Sequence, residues 1–281
     1  MTPELYSLLD KVKADPHDFD VHFEIGCLLY KEDHLDLSLE AFTNCVHLQP
    51  DNFRAHYRQG VTLHEMNRLE EALASYNRSI ELKKDFPNSY LNRGLVLDAL
   101  KRPEEALESF DKCIDLDPNN PDSYNNKASI YFSQRQFELA LDFYNKALEC
   151  DSDYQYALLG KGNVLNAMSR LDEALSTFDT LISLIPNNER FHSRRGDVLL
   201  EMKRYNEAME AYNFSLKLNP TSISSTFGKG EVYEALNHLD NALECFDRVL
   251  TLQYNHIHAM KARRRVLLKI VTNKEEAGAA C

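Results

Sequence analysis

A small residue that returns every 34 residues constrains the fold of this chain more than any other feature. Glycine stands at six of the seven recurrences and alanine at the other. The seven residues are Gly26, Gly60, Gly94, Ala128, Gly162, Gly196 and Gly230. Seven copies in phase predict an array of repeats, in which each unit packs only on its neighbours and a longer chain adds units instead of enlarging one core.

Two further positions in each copy share this period. A second small residue comes twelve positions after the first, and an aromatic ring comes four positions later still. The second small residues are Ser38, Ala72, Ala106, Ala140, Ala174, Ala208 and Ala242. The aromatic residues are Phe42, Tyr76, Phe110, Tyr144, Phe178, Tyr212 and Phe246. Small residues on two helices let the helix axes approach closely, and the ring, one turn after the second small residue, faces the same core.

Prolines and acidic residues indicate where the second helix of a copy ends and begins. Proline closes four copies, because it cannot continue a helix and biases the preceding residue away from one. These residues are Pro50, Pro118, Pro186 and Pro220. Acidic residues after a short polar turn favour the N-terminal end of a helix. They are Glu70, Glu104, Glu138 and Asp172. Each copy is therefore predicted to be a helix–turn–helix unit.

This pattern resembles the tetratricopeptide family. The predicted repeats run over 19–52, 53–86, 87–120, 121–154, 155–188, 189–222 and 223–256. The Trp that is frequent at the fourth position of the family repeat is absent, since the chain contains no Trp. The resemblance implies an all-α fold, a right-handed superhelical α-solenoid of tandem helix–turn–helix repeats.

Two end pieces flank the predicted repeats. Residues 1–18 are expected to hold a capping helix over 3–14, with Thr2 as its N-cap. Residues 257–281 are expected to hold a second capping helix, over 257–272, and a short flexible tail. Such end helices give the terminal repeats a polar outer face.

The C-terminal helix is expected to have one apolar and one basic side. The expected apolar side consists of Ile257, Met260, Leu267 and Val271. The residues expected to face water are Lys261, Arg263, Arg264, Arg265 and Lys269. The tail ends in Cys281, which fits no prenylation pattern.

Charge and composition argue against nucleic-acid binding and membrane insertion, and they indicate the compartment of the protein. A net charge of −12 opposes a phosphate backbone, so we expect no nucleic-acid partner. No run approaches the roughly 20 apolar residues of a membrane span, so we expect no membrane insertion. The N-terminal residues mix acids and lysines into an apolar pattern, unlike a signal peptide. Six cysteines without a CxxC pair then predict reduced thiols and a cytoplasmic protein.

Signatures of catalysis and of ligand chemistry are missing from the sequence. There is no P-loop, GxSxG, HExxH or GxGxxG, and no Cys/His set with zinc spacing. Gly160 and Gly162 form a GxG inside a predicted first helix, where helix packing explains them better than a ligand-binding motif does. His256 and His258 would point to different faces of a helix. We therefore expect no enzyme activity, no catalytic residue, no cofactor and no metal site.

Stacked repeats of this family line a concave groove with their first helices, and positions 2, 5, 6, 9, 12 and 13 of the repeat tend to face it. Two repeats carry an arginine pair at these positions, Arg54 with Arg58 and Arg190 with Arg194. Like charges at this spacing destabilise a helix by roughly 0.2–0.5 kcal/mol, so each pair needs a compensating contact.

The two arginine pairs differ in the partners that the sequence offers. Asp20 and Glu24 hold the equivalent positions of the preceding repeat, so two ion pairs to Arg54 and Arg58 are the favoured explanation of that pair.

The second pair, Arg190 and Arg194, has no acidic residues at the equivalent neighbouring positions. Gly160 and Gly228 are expected to open space on either side of Arg194. Two explanations stay equally open: contact with a carboxylate or phosphate of a partner, and an internal pair of Arg194 with Asp197.

Asparagines give a second signal in the same groove. An Asn amide donates and accepts at once, so it can pair with an extended peptide backbone, as superhelical members of this family do. The alternative is that Asn is merely tolerated on a wet surface. The candidate groove residues are Asn92, Asn126, Tyr156, Asn163, Asn166, Arg190 and Arg194, together with Arg54 and Arg58.

The resemblance implies a non-catalytic scaffold or adaptor that binds a partner peptide or helix in the concave groove. A co-chaperone-type binder of acidic C-terminal tails is one alternative, although Asn125, Ser129 and Gly160 stand where the family's clamp has Lys and Asn. A regulatory or assembly subunit of a larger complex is another. The expected partner is a protein or peptide, including one with an acidic or carboxylate-terminated segment, and self-association stays open.

Overall fold

The computed structural model describes residues 3–279, without the side chains of Pro3, Leu9 and residues 274–279. The predicted N-cap Thr2 and the terminal Cys281 lie outside the described residues. Sixteen α-helices and no strand make up the regular structure of the described range. The prediction of an all-α fold of tandem helical pairs is confirmed.

The helices alternate in two registers, each with a step of 34 residues. The first helices of the repeats are α2 (Phe19–Lys31), α4 (Phe53–Glu65), α6 (Pro87–Ala99), α8 (Pro121–Ser133), α10 (Gln155–Ala167), α12 (Glu189–Glu201) and α14 (Ile223–Ala235). The second helices are α3 (Leu35–Leu48), α5 (Leu69–Leu82), α7 (Pro103–Leu116), α9 (Phe137–Cys150), α11 (Leu171–Leu184), α13 (Tyr205–Leu218) and α15 (Leu239–Leu252). The end helices are α1 (Pro3–Ala14) and α16 (Ile257–Ala279). Helix α16 continues past the predicted end at residue 272.

The chain divides into two compact units, residues 1–135 and 136–281. Helices α1–α8 belong to the first unit and α9–α16 to the second. Within each unit, every helix packs against the next one along the chain. Each unit therefore has the nearest-neighbour packing of a repeat array.

Side-chain caps fix the start of most first helices. Asp18, Asn52, Asn120, Asn188 and Ser222 each accept a hydrogen bond from a backbone N–H of the following turn. Such a cap satisfies one of the donors that the first turn of a helix leaves without a partner.

A single left-handed residue ends the first helix of every repeat. Its φ lies between 57° and 62°, and the residues are Asp33, Asn67, Lys101, Arg135, Ser169, Lys203 and Asn237. The N–H of the residue after it returns to a carbonyl of the last turn, as from Arg68 to Leu63 at 2.9 Å. This geometry turns the chain into the second helix, although glycine, which tolerates it best, occupies none of the seven positions.

The recurring glycine makes room for the recurring ring. A Cβ placed on Gly94 would lie 2.5 Å from Phe110 Cε1, and one on Gly196 would lie 2.7 Å from Tyr212 Cε1. None of the glycines within residues 3–279 has a positive φ, so space and not backbone freedom explains the recurring ones. The buried rings in turn supply the largest apolar contributions to each core, at about 1.5–3 kcal/mol for a fully buried Phe.

The contacts of α16 correct its predicted faces. Ile257, Met260 and Val271 are 60%, 44% and 53% exposed and Leu267 is half-buried, so the predicted apolar side is wrong for three of its four residues. The buried stripe contains Ala259, Ala262 and Val266 instead, with Ile270 partly buried beside it. This helix starts 34 residues after α14, so it packs in the manner of another first helix and buries the corresponding positions.

The basic residues of α16 do not all face water either. Arg263 pairs with Asp247, and Arg265 and Lys269 both bind Glu234. Lys261 and Arg264 remain exposed, and neither forms an ion pair with any described residue.

Candidate partner-binding groove

First helices of the second unit surround a concave cavity of about 830 Å³, called here the α10–α16 groove. Its lining comes from α10, α12, α14 and α16, together with His256 just before α16. Two predicted site residues, Asn166 of α10 and Arg194 of α12, line it. A groove built from first helices is expected to be lined by every second helix in this way.

Arg194 has an internal partner. Its Nη1 lies 3.3 Å from Asp197 Oδ2, and the guanidinium side chain remains 51% exposed. The predicted internal pair is therefore present in the structure. Tyr212 OH also donates a hydrogen bond to Asp197 Oδ1 at 2.9 Å. Burial raises the pKa of Asp197, and the hydrogen bond from Tyr212 and the charge of Arg194 lower it in part.

Gly160 and Gly228 do not open space beside Arg194 as predicted. A Cβ on Gly228 would lie 2.3 Å from Tyr212 Cζ, and one on Gly160 would lie 2.2 Å from Tyr144 Cζ. The space above each glycine is filled by a tyrosine of the preceding repeat. A tyrosine followed sixteen residues later by glycine is the sequence signal that identifies this contact.

Glu234 fixes two cations of the groove. Arg265 donates to it through Nε and Nη2 at 2.7 and 2.6 Å, and Lys269 Nζ donates to Oε1 at 2.7 Å. The Glu234 side chain is only 8% exposed, whereas the two cations are about half exposed. The hydrogen bonds from Arg265 hold the pKa of Glu234 below its usual range. This cluster could not be predicted from the sequence pattern, because it joins residues 31 and 35 positions apart.

Two acidic residues of the groove form no ion pair within the part of the chain that the structure describes. Glu231 is half-buried and forms no ion pair with any described residue; burial and the charge of Asp197 raise its pKa, while Arg265 lowers it. Glu201 is exposed and accepts a hydrogen bond only from Asn166 Nδ2, at 3.1 Å. Asn166 Oδ1 is buried and has no hydrogen-bond partner.

His256 acts as a helix cap in this groove. Its Nδ1 accepts the backbone N–H of Ala259 at 3.0 Å, and its ring centroid lies 5.5 Å from that of Phe227. The centroid of His258 is 6.1 Å away. Within residues 3–279, no group of three or more His, Cys, Asp or Glu side chains is arranged to hold a metal ion.

The other predicted residues of the second unit do not line the cavity. Arg190 is exposed, and its guanidinium forms no ion pair with any described residue. Tyr156 is 60% exposed and lies edge-on to Tyr154, with ring centroids 5.5 Å apart. Asn163 is half-buried.

The predicted ion pairs of Arg54 and Arg58 are absent from the described part of the first unit. Arg54 lies over the Phe53 ring and Arg58 over the Tyr57 ring, with guanidinium carbons 5.7 and 6.0 Å from the centroids. Equivalent positions in adjacent repeats are neighbours, but each arginine turns toward the ring that precedes it. Neither guanidinium therefore has a carboxylate partner.

Asn92 and Asn126 hold the same position in consecutive repeats, and only Asn92 forms a hydrogen bond between described repeats. Asn92 Nδ2 donates to Tyr57 OH at 3.0 Å, so part of its amide is engaged between repeats. Asn126 is half-buried, and its amide forms no hydrogen bond with the described residues.

Models of known families match five segments of this chain. The model described as tetratricopeptide repeat matches residues 87–120 and 121–154, and a second model of that description matches 159–223 and 193–259. A model described as TPR repeat matches 60–101. The chain belongs to the tetratricopeptide repeat family. Proteins of this family are generally non-catalytic scaffolds for protein–protein interaction, and they bind protein or peptide partners.

Solved structures support the family fold. The chain is 16% identical to the Cut9–Hcn1 hetero-tetramer of the APC/C, with a TM-score of 0.71 over 94% of this chain and 52% of that one. It therefore spans about half the length of that relative. A tetratricopeptide repeat protein of Parabacteroides merdae is 18% identical, with a TM-score of 0.68 over 89% of this chain and 98% of that one.

A third similar structure is YrrB, described as a TPR protein with an unusual peptide-binding site. It is 22% identical, with a TM-score of 0.55 over 67% of this chain and 97% of that one. At these identities the likeness concerns the fold alone. The search of curated proteins found no match. Among the described helices, none combines the length and the apolar composition that crossing a bilayer requires.

Proposed function

We propose that this protein is a non-catalytic adaptor that holds a segment of a partner protein in the α10–α16 groove. The observation that carries the proposal is the cavity of about 830 Å³ between successive first helices. Its volume is within the range of about 300–1,000 Å³ that accommodates ligands in proteins. Its mixed lining of Phe227, Leu200 and charged groups suits an extended peptide or a helix face.

A single bulky substitution tests this proposal. Ala235 is exposed at the last residue of α14 and lines the groove, so Ala235→Trp obstructs the groove without touching the core. Ala99 ends α6 at the same repeat position in the first unit and is also exposed, which makes Ala99→Trp the matched control.

The measurement is affinity capture with the intact chain and both variants, followed by titration calorimetry with the recovered partner. We expect Ala235→Trp to weaken partner binding at least tenfold and Ala99→Trp to leave it unchanged, with equal thermal stability. Unchanged binding by Ala235→Trp would overturn the proposal.

A second candidate function, binding of acidic C-terminal tails, is favoured by one observation in the first unit. Arg54 and Arg58 are cationic, and neither has a carboxylate partner among the described residues. A peptide with acidic residues and a free C-terminal carboxylate tests it, with the amidated peptide as control. Equal weak binding of both peptides to the intact chain and to the double Arg54→Ala, Arg58→Ala variant would eliminate this candidate.

A role as a regulatory or assembly subunit is the third candidate, and the hetero-tetramer of Cut9 and Hcn1 is a structural precedent for the fold in an assembly. Light scattering of the complex with the captured partner tests it. A fixed stoichiometry that persists through gel filtration supports this role, and a transient complex contradicts it.

A further inference from the structure

The charges of the α10–α16 groove are unevenly compensated. Three cations line it, and each already binds a groove carboxylate: Arg194 binds Asp197, and Arg265 and Lys269 both bind Glu234. Two further carboxylates of the lining, Glu201 and Glu231, form no ion pair with any described residue.

The remaining acids lie on different helices of the same cavity. Glu201 is the last residue of α12, and Glu231 lies in the middle of α14. A partner carboxylate in this cavity would meet two like charges that form no ion pair with the described residues, and each of the three cations already binds a groove carboxylate. A partner cation would instead meet two carboxylates that have no ion pair.

Asn166 supplies an independent observation in the same lining. Its Nδ2 donates to Glu201 Oε1 at 3.1 Å, which fixes the orientation of the amide. Its Oδ1 is a buried acceptor without a hydrogen-bond partner. A buried acceptor without a donor is costly, so this oxygen also favours a donor-rich group beside it.

We infer that the α10–α16 groove recognises a partner segment through a Lys or Arg side chain that is bound between Glu231, Glu201 and Asn166. Ammonium and guanidinium groups only donate hydrogen bonds, which matches acceptors that lack donors. The inference rests on the proposed function, because it names the chemistry of the segment that the groove holds. It differs from the expected carboxylate at Arg194.

Labelled model peptides test this chemistry directly. Three short Gly-Ser peptides carry Lys, Gln or Glu at the same three positions and a fluorescent label, and binding to the full chain is followed by anisotropy. We expect the Lys peptide to bind, and the Gln and Glu peptides to bind at least tenfold more weakly. Added salt should weaken the binding of the Lys peptide.

Matched variants separate the groove from the general negative charge of the protein. Glu231→Gln removes one groove carboxylate with little change of shape, and we expect a loss of about tenfold in affinity for the Lys peptide, the scale of one charge-assisted hydrogen bond. Glu201→Gln should act in the same direction. Glu210→Gln, on the exposed surface of α13, changes net charge equally outside the groove and should have no effect.

Either of two results with the Lys peptide would overturn the inference: no preference for it over the other peptides, or an equal loss of its binding with Glu210→Gln and Glu231→Gln. Thermal unfolding of each variant shows that it remains folded. The proposed function fails separately, since it predicts the effect of Ala235→Trp on the captured partner whatever the charge of that partner. Loss of capture by Ala235→Trp together with unchanged capture by Glu231→Gln would keep the groove and reject the cation.

Discussion

Tyr212 OH donates a hydrogen bond to Asp197 Oδ1 at 2.9 Å, and the Tyr212 ring lies directly above Gly228 of the next repeat. Tyr212, a ring on a second helix, thus contacts both a carboxylate that lines the groove and the helix α14 that packs closely against it. It also orients Asp197, whose other oxygen faces Arg194 at 3.3 Å. A buried ring of the repeat core therefore helps to fix the orientation of a carboxylate that lines the groove of the second unit.

The first prediction concerns this hydrogen bond. Tyr212→Phe removes the donor to a partly buried carboxylate and should reduce the free energy of unfolding by about 1.5–3 kcal/mol, the usual value for a hydrogen bond to a charged group. The pKa of Asp197 should rise further, because the hydrogen bond from Tyr212 lowers it now. Urea unfolding and NMR titration of the Asp197 carboxyl measure the two effects.

Tyr76 provides the control for this prediction. It holds the same repeat position and is also fully buried, but its hydroxyl has no hydrogen-bond partner. Tyr76→Phe removes a buried unsatisfied group and should leave stability unchanged or raise it slightly. A loss as large as that of Tyr212→Phe would show that the ring environment, and not the hydrogen bond to Asp197, sets the cost.

The helix positions could be predicted because one physical requirement recurs in every repeat. A ring such as Phe110 needs a neighbour without a side chain, such as Gly94, so size alone marks the register. The left-handed residues could not be predicted in the same way. Lys101 and Lys203 take a conformation that their side chains disfavour, and only the connection between two packed helices requires it.

The candidate groove was predicted less completely than the fold. The register places Asn166 and Arg194 on first helices, and both line the cavity. It does not give side-chain directions, which is why Arg54 was expected to pair with Asp20 and instead lies over Phe53. The cluster at Glu234 depends on the packing of α16, whose buried face was predicted incorrectly.

The second prediction concerns the left-handed residue that ends α12. Lys203 has a φ of 59°, a conformation that costs a residue with a Cβ about 1–2 kcal/mol, whereas glycine's extra flexibility costs about 0.5–1 kcal/mol. Lys203→Gly should therefore stabilise the protein by about 0.5–1 kcal/mol in thermal or urea unfolding. Lys261→Gly, at an exposed site within α16, should destabilise it by about 1 kcal/mol. Two losses of similar size would contradict this explanation.

The third prediction concerns the cations that bind Glu234. The double variant Arg265→Met, Lys269→Met leaves a nearly buried carboxylate uncompensated, and should reduce stability by about 1–3 kcal/mol after allowance for the exposure of the two cations. The pKa of Glu234 should rise, since hydrogen bonds from Arg265 now lower it. Lys261→Met on the same helix removes an exposed cation without an ion pair. If Lys261→Met reduced stability by as much as the double variant, the cause would be the general loss of positive charge and not the loss of the ion pairs with Glu234.

The fourth prediction concerns Glu231 and pH. Burial, followed by the charge of Asp197, raises the folded-state pKa of Glu231 above the usual value of a glutamate; Glu234 also raises it and Arg265 lowers it. An acid with a raised folded pKa destabilises the fold while it is ionised, and this penalty disappears as pH falls through that pKa toward the usual value of a glutamate.

Glu231→Gln should therefore be more stable than the intact chain at pH 7, and the difference should shrink as pH is lowered toward that range. Glu210→Gln, exposed on α13, removes one acid outside the groove and is the control variant. Urea unfolding of the three proteins at several pH values measures this, and a stability gain for Glu231→Gln that grew on acidification would have the wrong sign. The same titration predicts that a Lys peptide loses affinity on acidification, because a protonated Glu231 no longer attracts a cation.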